Sequence, residues 1–322
     1  MRVTRSKTGS GAFTILFVSG ALLLSTGCSK ETPVTVRLGY LNITASLPLF
    51  IAEEKGFFAE EGLKYEATPI ATSNQLIDGL AAGNLDVFPE SSAVPVLAVE
   101  LQSPGRMKVF SVSAITKKAP FDAILVKENS PITKLADLAG KRIGTFPGTT
   151  SSSLLKKYLT DNNVDVSKIL FLPMPAPNQL TALVEGSVDA VHAYEPTIAI
   201  ALNKGGFRKL PGSVYAEMLD PNPQGVAAIS TKLLREHPSV AKKVIRALER
   251  AMVFMRENDA EARQIMAKRL KLDEPVAKSS VFLYMLPHRE IDQGTLQKYS
   301  DMLTTLGELK GKVKVDGLLY NE

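Results

Sequence analysis

The chain has 322 residues, of which 45% are hydrophobic and 22% charged, values typical of a soluble globular protein with room for two α/β domains. The formal net charge is +5, but three basic residues lie in the first 27 residues, which contain no acid. The remainder carries 35 basic and 33 acidic residues, a net charge of +2. A nearly neutral chain without a basic stripe does not fit a nucleic-acid partner.

The N-terminus has the three parts of an export signal. Arg2, Arg5 and Lys7 supply positive charge, an apolar run covers residues 12–24, and the segment ends in Leu24-Ser25-Thr26-Gly27-Cys28. The run is shorter than the roughly 20 apolar residues that a permanent membrane helix needs. Residues 1–27 are therefore predicted to be a signal peptide, and the mature protein is expected outside the cytoplasm.

Cys28 is the only cysteine of the chain and follows a small residue where the signal ends. This resembles a bacterial lipobox, although the leucine stands four residues before the cysteine. Cys28 is predicted to be lipidated, residues 28–33 to form a tether, and the protein to be anchored to the membrane in the periplasm or at the cell surface. The alternative is a plain cleaved signal with an incidental cysteine. A disulfide within the chain is excluded because there is no second cysteine.

From residue 34 onward, short apolar strands alternate with helical segments, which is typical of an α/β fold with mainly parallel sheets flanked by helices. The tail from Thr231 is predicted to be mostly helical, with an apolar stripe at helical spacing that begins at Val240. The predicted strands are Val34–Gly39, Leu63–Ala67, Leu85–Phe88, Lys108–Ser113, Ala123–Val126, Arg142–Thr145, Ile169–Leu172, Val188–Ala193 and Val226–Ser230.

One pattern is written twice along the chain, which predicts two similar lobes of about 100 residues. The matched pairs lie 103 to 105 positions apart: Arg37 and Arg142, Thr44 and Thr149, Ser46 and Ser151, Gly83 and Gly186, Glu90 and Glu195. Two proline-containing segments, 114–122 and 219–225, are predicted to cross between the lobes. Lobe one then comprises residues 34–113 and 226–322, and lobe two comprises residues 114–225.

The doubled pattern places a helix start rich in small and hydroxyl residues after the first strand of each lobe. Ligands of open α/β sheets bind at the carboxyl ends of the strands, where free backbone N–H groups at helix starts attract oxyanions. The alternative is simple N-capping by the hydroxyl groups. The candidate ligand contacts are Thr44, Ala45 and Ser46 in lobe one and Gly148, Thr149, Thr150 and Ser151 in lobe two.

Several longer segments resemble the binding proteins of sulfonate, taurine and nitrate ABC importers. The resemblance runs from Val34 to Ile229 and rests on Gly39-Tyr40, residues 47–52, Lys55-Gly56-Phe57-Phe58, Glu61-Gly62-Leu63, residues 135–144, Gly148-Thr149-Thr150-Ser151, Val188-Asp189-Ala190-Val191 and Tyr194-Glu195-Pro196.

This resemblance implies a type II periplasmic-binding-protein fold that holds a small-molecule ligand between its lobes and closes about a hinge. It also implies an ABC permease and its ATPase as partners, no cofactor, and a monomer. Carried over by position, the ligand contacts fall on Asn42, Thr44, Ala45, Ser46, Asn74, Gln75, Glu90, Ser91, Ser92, Thr149, Thr150, Ser151, Tyr194 and Glu195.

Glu90 and Glu195 place two carboxylates near the expected cleft. Carboxylates oppose a bare anion and suit a ligand with an amine or ring N–H groups, so a zwitterion or a nitrogen heterocycle is expected. The alternative is that each acid caps a helix. Tyr40, Phe88, Phe146 and Tyr194 lie near the same strand ends and are candidates to stack on or wall in a planar ligand, although core packing explains Phe88 as well or better.

An enzyme of the same fold that acts on a pyrimidine or a similar small metabolite is the main alternative, and the export signal opposes it. His192, His237 and His288 lack the spacing of metal ligands, so no metal site is expected. His192 is expected to be a structural histidine. We find no Gly-x-Ser-x-Gly motif, and Cys28 is not free to act as a nucleophile if it is lipidated.

Overall fold

A computed structural model describes residues 34–321. The predicted signal peptide, Cys28 and the tether lie outside these residues. The strands are β1 (Thr35–Leu41), β2 (Lys64–Ile70), β3 (Val87–Ser92), β4 (Met107–Ile115), β5 (Asp122–Lys127), β6 (Arg142–Thr145), β7 (Leu170–Pro173), β8 (Ala190–Tyr194), β9 (Phe207–Lys209), β10 (Asn222–Ser230) and β11 (Tyr284–Pro287). The helices are α1 (Leu47–Glu54), α2 (Phe57–Glu60), α3 (Ser73–Ala81), α4 (Ala93–Gln102), α5 (Thr149–Asp161), α6 (Ala176–Glu185), α7 (Thr197–Lys204), α8 (Val214–Met218), α9 (Thr231–Glu236), α10 (Pro238–Glu257), α11 (Asp259–Leu270), α12 (Glu274–Ser279) and α13 (Gln293–Thr305).

The strands form two sheets with the same internal order. The six-stranded sheet runs β11-β4-β10-β3-β1-β2, and the five-stranded sheet runs β7-β6-β8-β5-β9. β1 in the larger sheet and β6 in the smaller one each lie between two parallel neighbours, while β10 and β5 run antiparallel to the strands on both their sides. Both sheets are therefore mixed, and the expectation of mainly parallel pairing holds only for three strands in each sheet.

The repeat seen in the sequence is reproduced by an ion pair in each sheet. The backbone N–H and Nε of Arg37 both donate to Oδ2 of Asp86 at 2.9 Å, and Nη2 donates to Oδ1 at 2.7 Å. Arg142 makes the same three bonds to Asp189 at 2.8, 3.1 and 2.9 Å. The first pair joins β1 to the residue before β3, and the second joins β6 to the residue before β8. The two pairs therefore occupy equivalent positions in the two sheets.

All nine predicted strands are present, and two strands were missed. β9 and β11 have three and four residues and carry no clear alternation of polar and apolar side chains, so there was no strand period to detect. β10 already begins at Asn222, inside the segment 219–225 that is predicted to cross between the lobes. The assignment of residues to two lobes remains a prediction.

The C-terminal helices pack beside the six-stranded sheet. The predicted stripe of α10 is buried at Val244, Ile245, Leu248 and Met252. Ion pairs join α10 and α11 to α1, α2 and the turns that follow them, namely Arg246 to Glu61 at 2.6 Å, Lys55 to Glu261 at 2.8 Å, and Arg269 to Glu53 at 2.5 Å. Among the described helices, none has the length and apolar character needed to cross a bilayer.

Candidate functional site

A cavity lies where the carboxyl ends of the parallel strands of the two sheets approach each other. The cavity gives the centres of water-sized molecules a volume of about 130 Å³, which leaves room for a small organic ligand. The lining comes from both sheets and from the segments that connect them. It comprises Ile43, Ala45, Thr72, Ser73, Asn74, Glu90, Ser92, Ile115, Phe121, Phe146, Pro147, Gly148, Thr150, Ser151, Ala176, Tyr194, Glu195, Pro196, Thr197, Tyr215, Gln224, Gly225 and Leu283.

The structure brings nine of the fifteen candidate ligand contacts to the cavity wall. These are Ala45, Asn74, Glu90, Ser92, Gly148, Thr150, Ser151, Tyr194 and Glu195. Thr44, Ser46 and Ser91 are buried nearby but do not line it, and Asn42 and Gln75 are exposed. Thr149 opens α5. The role of all these residues in ligand binding stays a prediction.

Sequence reasoning missed several residues of the wall. Ile115 and Phe121 lie at the ends of the first predicted crossing, and Gln224 and Gly225 lie in the second. The signal that could have found them is the crossing itself, because a chain that passes between two sheets must run beside the gap. Leu283 comes from the C-terminal tail, where the sequence offers no such signal.

The helix α5 starts at a glycine. Its N-cap residue, Gly148, has φ of 113°, a conformation that favours glycine, and has no side chain that could cap the first N–H groups. Thr150 and Ser151 line the cavity at this helix start. By contrast, the hydroxyl of Thr72 accepts a bond from the N–H of Gln75 at 3.3 Å and caps α3. Side-chain capping is thus seen at α3, whereas the glycine N-cap of α5 has no capping side chain, and a helix start of this kind can offer its N–H groups to an anion.

Glu90 is a nearly buried carboxyl group on β3, with 5% of its surface exposed. Its Oε1 accepts a hydrogen bond from the hydroxyl of Ser113 on β4 at 2.7 Å. Burial raises the pKa of Glu90 to about 8, and the Ser113 bond offsets this only in part. The alternative that Glu90 caps a helix is wrong, since Ser113 is its hydrogen-bond partner among the described residues.

A glycine on β10 makes room for this carboxyl group. A Cβ atom on Gly225 would lie 1.7 Å from Oε1 of Glu90 and 2.2 Å from Oγ of Ser113. No side chain fits at those distances, so the position requires glycine for as long as Glu90 keeps its place. A glycine inside a strand commonly marks such a close approach.

Glu195 differs from Glu90 in its hydrogen-bond donors. Its Oε2 accepts the backbone N–H of Ala199 in α7 at 3.1 Å, as the capping alternative predicted. Burial raises its pKa to about 7, against the opposing effects of hydrogen bonds from the backbone of Ala199 and Val281 and of the charges of Lys209 and Arg263.

Aromatic rings form one wall of the cavity. The ring of Phe146 meets that of Tyr194 edge-on, with 5.7 Å between centroids, and Phe121 lies 6.5 Å from the same ring. The hydroxyls of Tyr194 and Tyr215 are hydrogen-bonded, and burial raises the pKa of both, so these side chains stay neutral at physiological pH. Tyr40 packs against Phe50 and is not part of the wall, and Phe88 is fully buried in the core.

The cavity wall has an unusual charge composition for a polar site. Its described residues include two acids, Glu90 and Glu195, and no Lys, Arg or His. His192 is fully buried and its Nε2 lies 2.9 Å from Oδ2 of Asp122, which makes it a structural histidine away from the lining. Within residues 34–321, no cluster of His, Cys, Asp and Glu has the geometry of a metal site.

Two mixed sheets of matching strand order, flanked by helices and meeting at a cavity, define the fold of the periplasmic binding proteins. Residues 43–262 match the family described as NMT1/THI5 like, and the chain belongs to that family.

Named relatives and solved structures agree with this assignment. A putative aliphatic sulfonates-binding protein of Bacillus subtilis is 28% identical over 236 residues, which are 72% of this chain and 69% of the relative. The periplasmic aliphatic sulphonate binding protein SsuA of Escherichia coli shares the fold with a TM-score of 0.72 at 20% identity, over 90% of this chain and 93% of that one. The desulfurization enzyme DSZB shares it with a TM-score of 0.68 at 19% identity, over 89% and 97%.

Proposed function

We propose that this protein is an extracytoplasmic solute-binding protein of an ABC importer. It holds a small polar organic molecule, either sulfonate- or taurine-like or nitrogen-containing, in the cavity between the sheets. The observation that carries the proposal is the origin of the lining, since Ala45, Asn74 and Glu90 come from the six-stranded side and Thr150 and Tyr194 from the five-stranded side. A ligand in this cavity contacts both sides at once.

A ligand that contacts both sides of the cavity binds a closed state more tightly than an open one. A ligand shifts a conformational equilibrium only by its difference in affinity for the two states, and here the open state offers it one wall instead of two. The closed form is then the form that docks on the permease, whose ATPase drives transport. Lipidation of Cys28 would keep a monomeric binding protein at the membrane, in the periplasm or at the cell surface.

The main alternative is an enzyme of the same fold that acts on a pyrimidine or a similar small metabolite. The fold does not separate the two, because DSZB is an enzyme and SsuA is a binding protein. What separates them is the fate of the bound molecule, since a transport protein releases it unchanged.

The proposal is tested by thermal-shift screening of the purified protein against aliphatic sulfonates, aminosulfonates, nitrate, pyrimidines and flavins. A ligand raises the melting temperature by mass action, and small-angle X-ray scattering should then show a smaller radius of gyration. Mass spectrometry of the released ligand should show no chemical change. A ligand that is converted, or one that binds without compaction, would contradict the proposal.

A further inference from the structure

Glu90 is the one acid on the described cavity wall whose charge has no backbone or cationic partner. Oε2 of Glu195 takes the N–H of Ala199, and the backbone of Val281 also bonds this carboxyl. Glu90 receives only the hydroxyl of Ser113, yet an ionised carboxyl group can accept about four hydrogen bonds. The cavity is the space from which further donors can come.

We propose that Glu90 is the acceptor for an N–H donor group of the ligand, such as a protonated amine, an amidine or a ring N–H. The inference rests on the proposed function and names the class of its ligand. It separates this cavity from one that holds a simple oxyanion, because the described wall has no Lys, Arg or His to pair with an anion.

The surroundings of Glu90 show that its position is built into the sheet. Gly225 lies on β10, which neighbours the strand of Glu90, and Ser113 lies on β4, one strand further on. Gly225 leaves a gap that any Cβ would close, and the carboxyl group of Glu90 reaches Ser113 there. Glycine inside a strand weakens it, so this arrangement carries a structural cost for keeping the carboxyl where it is. An acid that served only to fill space would not need either neighbour.

The rest of the wall suits a nitrogen-bearing ligand that also has an acidic or planar part. The start of α5, with Thr150 and Ser151, can receive an oxyanion at the other end of a zwitterion. The rings of Phe146 and Tyr194 can pack against a heterocycle or a cation. Glu195, Tyr194 and Tyr215 are the other titratable groups of the described wall, and none of them carries a positive charge.

The opposite assignment is a protonated Glu90 that donates its own hydrogen to an anionic oxygen. The two assignments differ in how a change from Glu to Gln acts. The amide of Gln donates as a protonated acid does and would support an oxyanion, whereas it lacks the charge that an ammonium or amidinium group needs.

The test uses matched ligands that differ in one nitrogen group. Calorimetry compares taurine with ethanesulfonate, and 4-aminopyrimidine with pyrimidine, on the purified protein and on its Glu90→Gln variant. In at least one pair the nitrogen-bearing member should bind at least tenfold tighter, and Glu90→Gln should lower that affinity at least tenfold. Glu61→Gln, which changes an acid paired with Arg246 on the surface, is the matched control and should change nothing.

A second measurement needs no variant and covers the case in which Glu90→Gln does not fold. Binding of a cationic ligand should release a proton near pH 7, seen as a dependence of the binding enthalpy on the ionisation enthalpy of the buffer. Ethanesulfonate or nitrate bound as tightly as any nitrogen-bearing ligand, or an undiminished affinity in Glu90→Gln, overturns the inference and leaves the solute-binding proposal standing. If nothing in the wider screen binds, the proposed function itself fails.

Discussion

The hydroxyl of Thr44 donates a hydrogen bond to the backbone carbonyl of Glu195 at 3.2 Å. Thr44 follows β1 of the six-stranded sheet, and Glu195 follows β8 of the five-stranded sheet. Both residues are buried, with 3% of their surface exposed. The bond therefore joins residues from the two sides of the cavity. The ligand contact that the sequence predicts for Thr44 stays a prediction.

Thr44→Val should weaken ligand binding. Valine keeps the shape of threonine but leaves the carbonyl of Glu195 without this donor, which costs about 1 kcal/mol, or roughly fivefold in affinity, if the bond forms only on closure. Calorimetry measures the affinity, and scattering should show a more open average in the ligand-free protein. Thr305→Val, which removes an exposed hydroxyl bond to the carbonyl of Asp301, is the control. Equal affinities in both variants would mean that the bond between Thr44 and Glu195 does not stabilise the closed state.

Gly225→Ala should displace Glu90. The added methyl group would meet Oε1 of Glu90 at 1.7 Å, so either the acid or β10 must move. Overpacking of this kind typically costs about 1–3 kcal/mol of folding free energy, and the ligand should also lose its acceptor. Chemical denaturation measures the first effect and calorimetry the second. Gly317→Ala places its methyl group in open space and should alter neither. Full ligand affinity in Gly225→Ala would contradict a role for Glu90.

The sequence predicted the fold from local patterns that the structure repeats. The pairs Arg37–Arg142 and Gly83–Gly186 mark equivalent points of two sheets whose strand orders match. The antiparallel strands were not predicted, because strand direction depends on how the chain returns and not on side-chain period. The cavity was predicted only where strand ends carry polar residues. Leu283 reaches it through packing between segments that are distant in the chain, and no local pattern in a single sequence signals such a contact.

Thr150→Ala should lower the affinity for a ligand with an acidic group. The first turn of α5 offers backbone donors to such a group, and the hydroxyl of Thr150 on the cavity wall adds another. Its loss should cost about 1 kcal/mol, or roughly fivefold. Thr160→Ala, at the exposed end of the same helix, controls for helix propensity. Calorimetry with taurine on both variants is the measurement, and an unchanged affinity would place the acidic group elsewhere.

The two Arg–Asp pairs should differ in their contribution to stability. The side chain of Asp86 is 10% exposed and that of Asp189 is 31% exposed, although both accept three bonds from arginine. Asp86→Asn should therefore lower the free energy of unfolding by about 2 kcal/mol, and Asp189→Asn by less, because water replaces lost bonds more easily at the exposed site. Denaturant titration of both variants measures the difference. A larger loss of stability in Asp189→Asn than in Asp86→Asn would show that burial does not determine the contribution of these ion pairs.

The ligand-free protein should become less stable as the pH rises from about 5 to about 8. Burial raises the pKa of Glu90 from 4.5 to about 8 and that of Glu195 to about 7, so the folded state keeps protons that the unfolded state has already lost. Each such group lowers the free energy of unfolding with a slope of up to about 1.4 kcal/mol per pH unit until its folded pKa is passed. Urea titrations at pH 5, 6, 7 and 8 measure the slope.

Glu90→Gln should make this slope shallower, since glutamine does not titrate. Glu61→Gln should leave it unchanged, because the bond from Arg246 lowers the pKa of Glu61 and moves its titration below this pH range. A cationic ligand stabilises the charged form of Glu90. It should therefore raise the free energy of unfolding most near pH 8, where the ligand-free protein is least stable. A slope that is the same in Glu90→Gln and in the unmodified protein would show that Glu90 is ionised throughout, with a charge already balanced inside the fold.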